Sequence, residues 1–187
     1  MKAKTHEYNI FVIPVRKNMK YICLLFVLCL FSCKDTESEI QTLPADNAIS
    51  ELITKEDLAS IKYADFIADP KVENMITGWA KYNELQSVIL DIKAGNLSFF
   101  KDNKQIVSTL NFELKSTIPE TLKTPLIIAR VVAVETKVFK LESAVNLSNP
   151  EKEVVLESVK ELLVAFSNLN LQMNKQVEKE SQQIIKP

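Results

Sequence analysis

Between residues 125 and 181 the chain twice repeats large apolar side chains in alternating steps of four and three. Ile127, Val131, Val134, Val138, Leu141 and Val145 form the first series, and Val155, Val159, Leu162, Phe166, Leu169, Met173 and Val177 the second. This spacing returns to one side of an α-helix, so each series predicts a long helix with a single apolar face. Thr124 and Pro125 supply an N-cap and a first helical residue for one. Asn149 and Pro150, followed by Glu151 and Glu153, open the other, which is expected to reach about Ile185. With only residues 147–149 between them, the two helices must run antiparallel and bury their faces together.

The preceding chain reads as shorter helices. Thr54, with Glu56 and Asp57 in the first turn, caps a helix expected to run to about Ala68 and to offer Leu58, Ile61 and Phe66 to a core. Asp69 and Pro70 restart the chain. Val72, Met75, Trp79, Tyr82, Leu85, Ile89 and Ile92 then predict one continuous helix ending at Gly95, a residue suited to the left-handed C-terminal cap. Residues 96–115 carry two patterns. Ile106, Leu110 and Leu114 fit one helical face, whereas Leu110, Phe112 and Leu114 also alternate as in a hairpin turned at 101–104. An isolated hairpin among helices is marginal, so helix is preferred. The expected fold is all-α: an antiparallel bundle of about four to five helices over residues 54–187, ending in two long ones.

Residues 19–33, MKYICLLFVLCLFSC, have a different character: a cationic start at Lys20, an apolar core from Tyr21 to Phe31, and the small Ser32 before Cys33. An apolar run of about a dozen residues falls short of the roughly 20 that a membrane-spanning helix needs. Cys23 and Cys29 follow Ile22 and Leu28, so only Cys33 follows a small residue. Leu30, Phe31, Ser32 and Cys33 resemble the lipobox of bacterial lipoproteins, with Phe31 bulkier than the usual residue there, as lipoproteins of the Bacteroidota often tolerate. The resemblance covers residues 19 to about 39. It implies cleavage between Ser32 and Cys33, acylation of Cys33, and a lipid anchor in the outer membrane of the cell envelope, on its periplasmic or its surface face. Lys34, Asp35 and Glu37, with Glu39, resemble the export signal that carries such proteins to the surface. Two or three acyl chains anchor stably, at about 0.8 kcal/mol per buried methylene. Met19 is the expected initiator, because residues 1–18 are too long for a signal's cationic start. Residues 33–53, polar and holding Pro44, read as a tether.

Cleavage there narrows the chemistry. It removes five of the 23 basic and one of the 24 acidic side chains, leaving 18 against 23 and a net charge of about −5, which argues against nucleic acid as a partner. It also removes His6, the only histidine, and leaves no cysteine after Cys33. Zinc sites and most nucleophilic or acid–base sites draw on those two residues, and two glycines, Gly78 and Gly95, make no phosphate-binding loop. No catalytic residue, metal ligand or cofactor is assigned, and an enzyme would have to work with carboxylates alone.

Arg130, the only arginine after residue 16, lies in the apolar sequence LIIARVVAV. It is the candidate contact for a carboxylate ligand or partner; the alternative is an ion pair with Asp91, Glu135 or Glu84, or a side chain reaching the rim. Trp79 and Tyr82 are expected in the core. Asn168, Asn170, Gln172 and Asn174 are expected to make a solvated face. Val132, Leu171, Phe139 and Phe112 lie off the stripes and suggest a protein-docking patch. The leading expectation is a lipid-anchored interaction or structural protein with a protein partner and no enzymatic activity. A small-molecule binding bundle with a closed cavity at Arg130 is the alternative, and a carboxylate-only hydrolase the remote one.

Overall fold

The computed structural model describes residues 51–182, all within one compact unit, Thr42–Pro187. Ser32, Cys33, Lys34, Asp35 and Glu37, expected to carry cleavage, acylation and export, and the expected start at Met19 lie outside the described residues. The fold is all-α. Six α-helices lie wholly within the described residues: α1 (Lys55–Ala59), α2 (Pro70–Ile76), α3 (Ala80–Lys93), α4 (Lys104–Ser116), α5 (Pro125–Val145) and α6 (Lys152–Ser181), with 3-10 turns at Ser98–Phe100 and Glu120–Leu122. α5 and α6 share the largest interface, α4 packs on α5, α3 on α4, and α2 bridges α3 and α6.

The two long stripes behave as their spacing demands. All thirteen of their residues are buried. Thr124 caps α5 by accepting from the Ile127 N–H, with Pro125 at the first turn. α6 begins later than Asn149–Pro150 implies, at Lys152 with Glu151 as N-cap. Asn146 holds this corner: its amide donates to the carbonyls of Phe100 (2.8 Å) and Glu142 (2.7 Å), and its Oδ1 accepts from the Asp102 N–H (2.9 Å).

Residues 96–115 resolve as the helical reading, not the hairpin. α4 buries Val107, Leu110 and Leu114, while Ile106 faces out. The stripe is shifted by one residue because Val107 lies closer to the Leu110–Leu114 line. Asn111 shares the buried face, and neither its Nδ2 nor its Oδ1 has a hydrogen-bond partner among the described residues. A buried amide left unpaired costs about 1–3 kcal/mol. Asn111→Leu is therefore expected to raise the thermal midpoint by several degrees in a circular-dichroism melt; an unchanged or lower midpoint would show that the amide is satisfied or that the larger apolar group does not fit.

Two expected helices come out differently. α1 stops at Ala59 and does not run to Ala68, and the expected second helix is interrupted at Thr77–Gly78–Trp79. Thr77 Oγ1 donates to the Glu73 carbonyl (2.8 Å), and Asn83 Nδ2 donates to the Thr77 carbonyl (3.1 Å) across the break. The interruption serves Trp79, whose buried indole N–H donates to the Leu114 carbonyl (3.2 Å) in the last turn of α4. Helix ends leave such carbonyls without intrahelical donors. At the far end the prediction holds: Gly95 has φ +98°, and the Asn96 and Gly95 N–H groups donate to Asp91 and Ile92, closing α3 with a Schellman turn.

α1 is tied down electrostatically. Thr54 and Asp57 make a reciprocal capping box, and Lys152 at the start of α6 lies 2.6 Å from Asp57. The Lys152 ammonium and the Thr54 backbone and hydroxyl hold the Asp57 carboxyl down to about 2, from the ordinary 3.8. A carboxyl whose folded pKa is depressed stabilises the fold above its unfolded pKa, and that contribution disappears as pH falls from about 4 through about 2. Asp57→Asn is expected to flatten the stability–pH curve in that window and leave its slope at neutral pH unchanged.

Candidate functional site

Arg130 is exposed, in keeping with a side chain that reaches the rim and not with one buried among its apolar sequence neighbours. Those neighbours point elsewhere: on a helix, residues one apart face different ways, so Ile127, Val131 and Val134 turn inward while Arg130 stays at the flank of the stripe. It borders an open groove of about 360 Å³ between α5 and α6, floored by Ala133, Val164 and Ala165. This is not the closed cavity a small-molecule bundle would need. Among the described residues no carboxylate pairs with Arg130, and Asp91, Glu135 and Glu84 do not serve it. Glu161 on the same groove accepts from Lys140 (2.7 Å) and Lys137 (3.1 Å), which lower its pKa in that order.

Trp79 and Tyr82 are core residues, as expected. Tyr82 stacks between Trp79 and Phe166, with ring centroids 5.4 and 5.5 Å away. Its hydroxyl donates to Asn170 Oδ1 at 2.7 Å. Burial pushes the phenol well above its ordinary pKa, and the Asn170 bond partly counters the rise.

The asparagines of α6 are not simply a solvated face. Residues 61–69, of which 61–68 are expected to end the first helix, form an extended strap along α6, and the polar side chains of α6 hold its backbone. Ser167 Oγ accepts from the Phe66 N–H (2.7 Å) and donates to the Ala64 carbonyl (2.6 Å). Asn170 Nδ2 donates to the Phe66 carbonyl (2.9 Å). Asn174 accepts from the Asp69 N–H (2.9 Å) and donates to the Ile67 carbonyl (2.8 Å). The lengths agree: the seven residue steps from Ser167 to Asn174 rise about 10.5 Å in a helix, and the three steps from Phe66 to Asp69 cover about 10 Å in extended chain.

Between the strap, α2 and α3 lies a cleft of about 460 Å³. Ile67 (74% exposed), Leu90 (59%) and Phe66 (40%) all border it. Lys93 bonds Asp65 at 2.7 Å and lies over the Tyr63 ring, 5.9 Å from its centroid. Sequence reasoning missed this site. The available signal was Ser167, Asn170 and Asn174 at helical spacing beside the apolar stripe, together with Pro70, which disfavours helix in the residue before it.

Val132, Phe139 and Phe112 are exposed as the docking reading expects, whereas Leu171 is half-buried. Among the described residues, no group of three or more His, Cys, Asp or Glu side chains is placed to hold a metal, and no helix is long and apolar enough to cross a membrane. Compared with protein families, curated proteins and solved structures, the chain matches none.

Proposed function

We propose that this protein is a lipid-anchored component of a bacterial envelope, probed at the membrane surface by other proteins that dock on its helical bundle, and that it carries out no catalysis. The observation that supports docking is the concentration of Ile67, Leu90 and Phe66 around one cleft. Single exposed apolar residues are ordinary, whereas several at one concavity mark an interaction surface. The open form of the Arg130 groove weighs against the small-molecule alternative. The anchor rests on the lipobox-like LFSC and on the dozen-residue apolar run before it.

Two experiments test this reading. Cys33→Ser is expected to move the protein from the membrane to the soluble fraction of cells and to abolish incorporation of an alkyne-labelled fatty acid; membrane retention with undiminished label would refute the anchor. Crosslinking in the native membrane, followed by pull-down, is expected to return one reproducible protein partner. Repeated recovery of the protein alone would refute docking.

A further inference from the structure

The strap presents its backbone on two edges, and α6 uses only one. The Ser167, Asn170 and Asn174 side chains occupy the Ala64 and Phe66 carbonyls and the Phe66 N–H, together with Ile67 C=O and Asp69 N–H. A trans peptide points its C=O and the following N–H in opposite directions, so the Ala64 and Phe66 carbonyls held by α6 turn the Asp65 and Ile67 N–H groups away from it, and the Phe66 N–H held by Ser167 turns the Asp65 carbonyl away. The Asp65 N–H and C=O and the Ile67 N–H, which alternate with the Phe66 groups, have no hydrogen-bond partner among the described residues. The side chains of Asp65, Phe66 and Ile67 are all exposed, and the segment borders the 460 Å³ cleft. This is the arrangement that a sheet edge offers to an added strand: backbone groups for register and flanking side chains for selectivity.

The charges of the cleft define the occupant further. Asp65 is neutralised by Lys93, whereas Glu73, which also lines the cleft, has no cationic partner among the described residues. Phe66, Ile67 and Leu90 supply apolar contact. We propose that the outer edge of the strap, with the cleft beside it, is a docking site for an extended peptide segment of a partner protein that alternates aliphatic side chains with a lysine or arginine. The cation meets Glu73, the aliphatic groups meet Ile67 and Leu90, and the backbone bonds Asp65 and Ile67. Four extended residues span about 13 Å, so a segment of four to six residues covers the edge from Asp65 to Ala68. The proposal rests on the docking function above and moves the contact from a helix face to a strand edge.

The full chain in detergent micelles is titrated with a fluorescent hexapeptide alternating valine and lysine, with the valine–glutamate hexapeptide as control. The lysine peptide is expected to bind at least tenfold more tightly than the glutamate peptide. Ile67→Pro deletes one of the N–H groups that the strap leaves unused, keeps the carbonyl that Asn174 engages, and favours extended backbone at Phe66. It is expected to weaken peptide binding at least tenfold while the thermal midpoint is unchanged, and Glu73→Gln to remove the preference for lysine. Absence of lysine-peptide binding, or equal binding by Ile67→Pro, would overturn the proposal. So would a dimer of the parent chain that Ile67→Pro dissociates, since a second copy would then own the edge. A partner recovered by membrane crosslinking in equal yield from Ile67→Pro overturns this site and leaves the docking function standing.

Discussion

Phe166→Asp is expected to leave no cooperative unfolding transition at room temperature. Phe166 is buried on α6 against Tyr82, its ring centroid 5.5 Å from the phenol. Removing a buried phenylalanine costs about 3–5 kcal/mol through lost transfer energy and the cavity left behind. The new carboxylate is placed among apolar groups with no cation supplied to pair with it, which adds several kcal/mol or forces it to protonate. A domain of this size has a total stability of about 5–15 kcal/mol, so the sum consumes most of it. Urea titration followed by far-ultraviolet circular dichroism reads the result. A sigmoidal transition at the parent midpoint would contradict the packing of α6 against α3.

The next largest effect is expected for Asn170→Ala. One amide serves two partners: its Oδ1 accepts from the buried Tyr82 hydroxyl and its Nδ2 donates to the Phe66 carbonyl. Truncation strands the phenol in the core, at about 1–3 kcal/mol, and removes the central bond of the strap, at about 0.5–1.5 kcal/mol. The expected loss is about 2–4 kcal/mol by these two costs together. Tyr82→Phe in the same background should return part of it, because the hydroxyl that needed a partner is gone; coupling between touching residues is about 0.5–3 kcal/mol. Strictly additive losses would mean that the two groups do not depend on each other. Amide hydrogen exchange at Phe66 gives an independent reading, since a loosened strap exposes the N–H now held by Ser167.

How much of this was legible beforehand differs from element to element. The α5 and α6 stripes, the Thr124 cap and the Gly95 terminus follow from local rules, since periodicity and capping involve residues within a turn or two of each other. The break before α3 was not legible. Gly78 is its one local mark, and an isolated glycine in a helical pattern is tolerated as often as it breaks the helix; the reason for the break is the Leu114 carbonyl, 35 residues away, that receives the Trp79 indole. The same holds for the strap. Residues 61–69 contain Ile61, Tyr63 and Phe66 at spacings a helix accepts, and their extended form is fixed by side chains more than a hundred positions further on. Arg130 was singled out for its apolar neighbours, but neighbours in sequence on a helix are not neighbours in space.

The sequence by itself determined the all-α class, the antiparallel pair of long helices and the residues that fill their interface. It did so because apolar side chains at steps of three and four have one efficient way to leave water. It also set the chemical inventory, with histidine confined to residue 6 and cysteine to positions 23, 29 and 33. The tertiary structure decided where the helices stop and which polar groups the interior absorbs. A polar side chain at a helix flank can serve water, a distant backbone or a partner equally well. Ser167, Asn170 and Asn174 took the backbone of residues 64–69 because the packing of α2 and α3 on α6 brings that segment within hydrogen-bond distance.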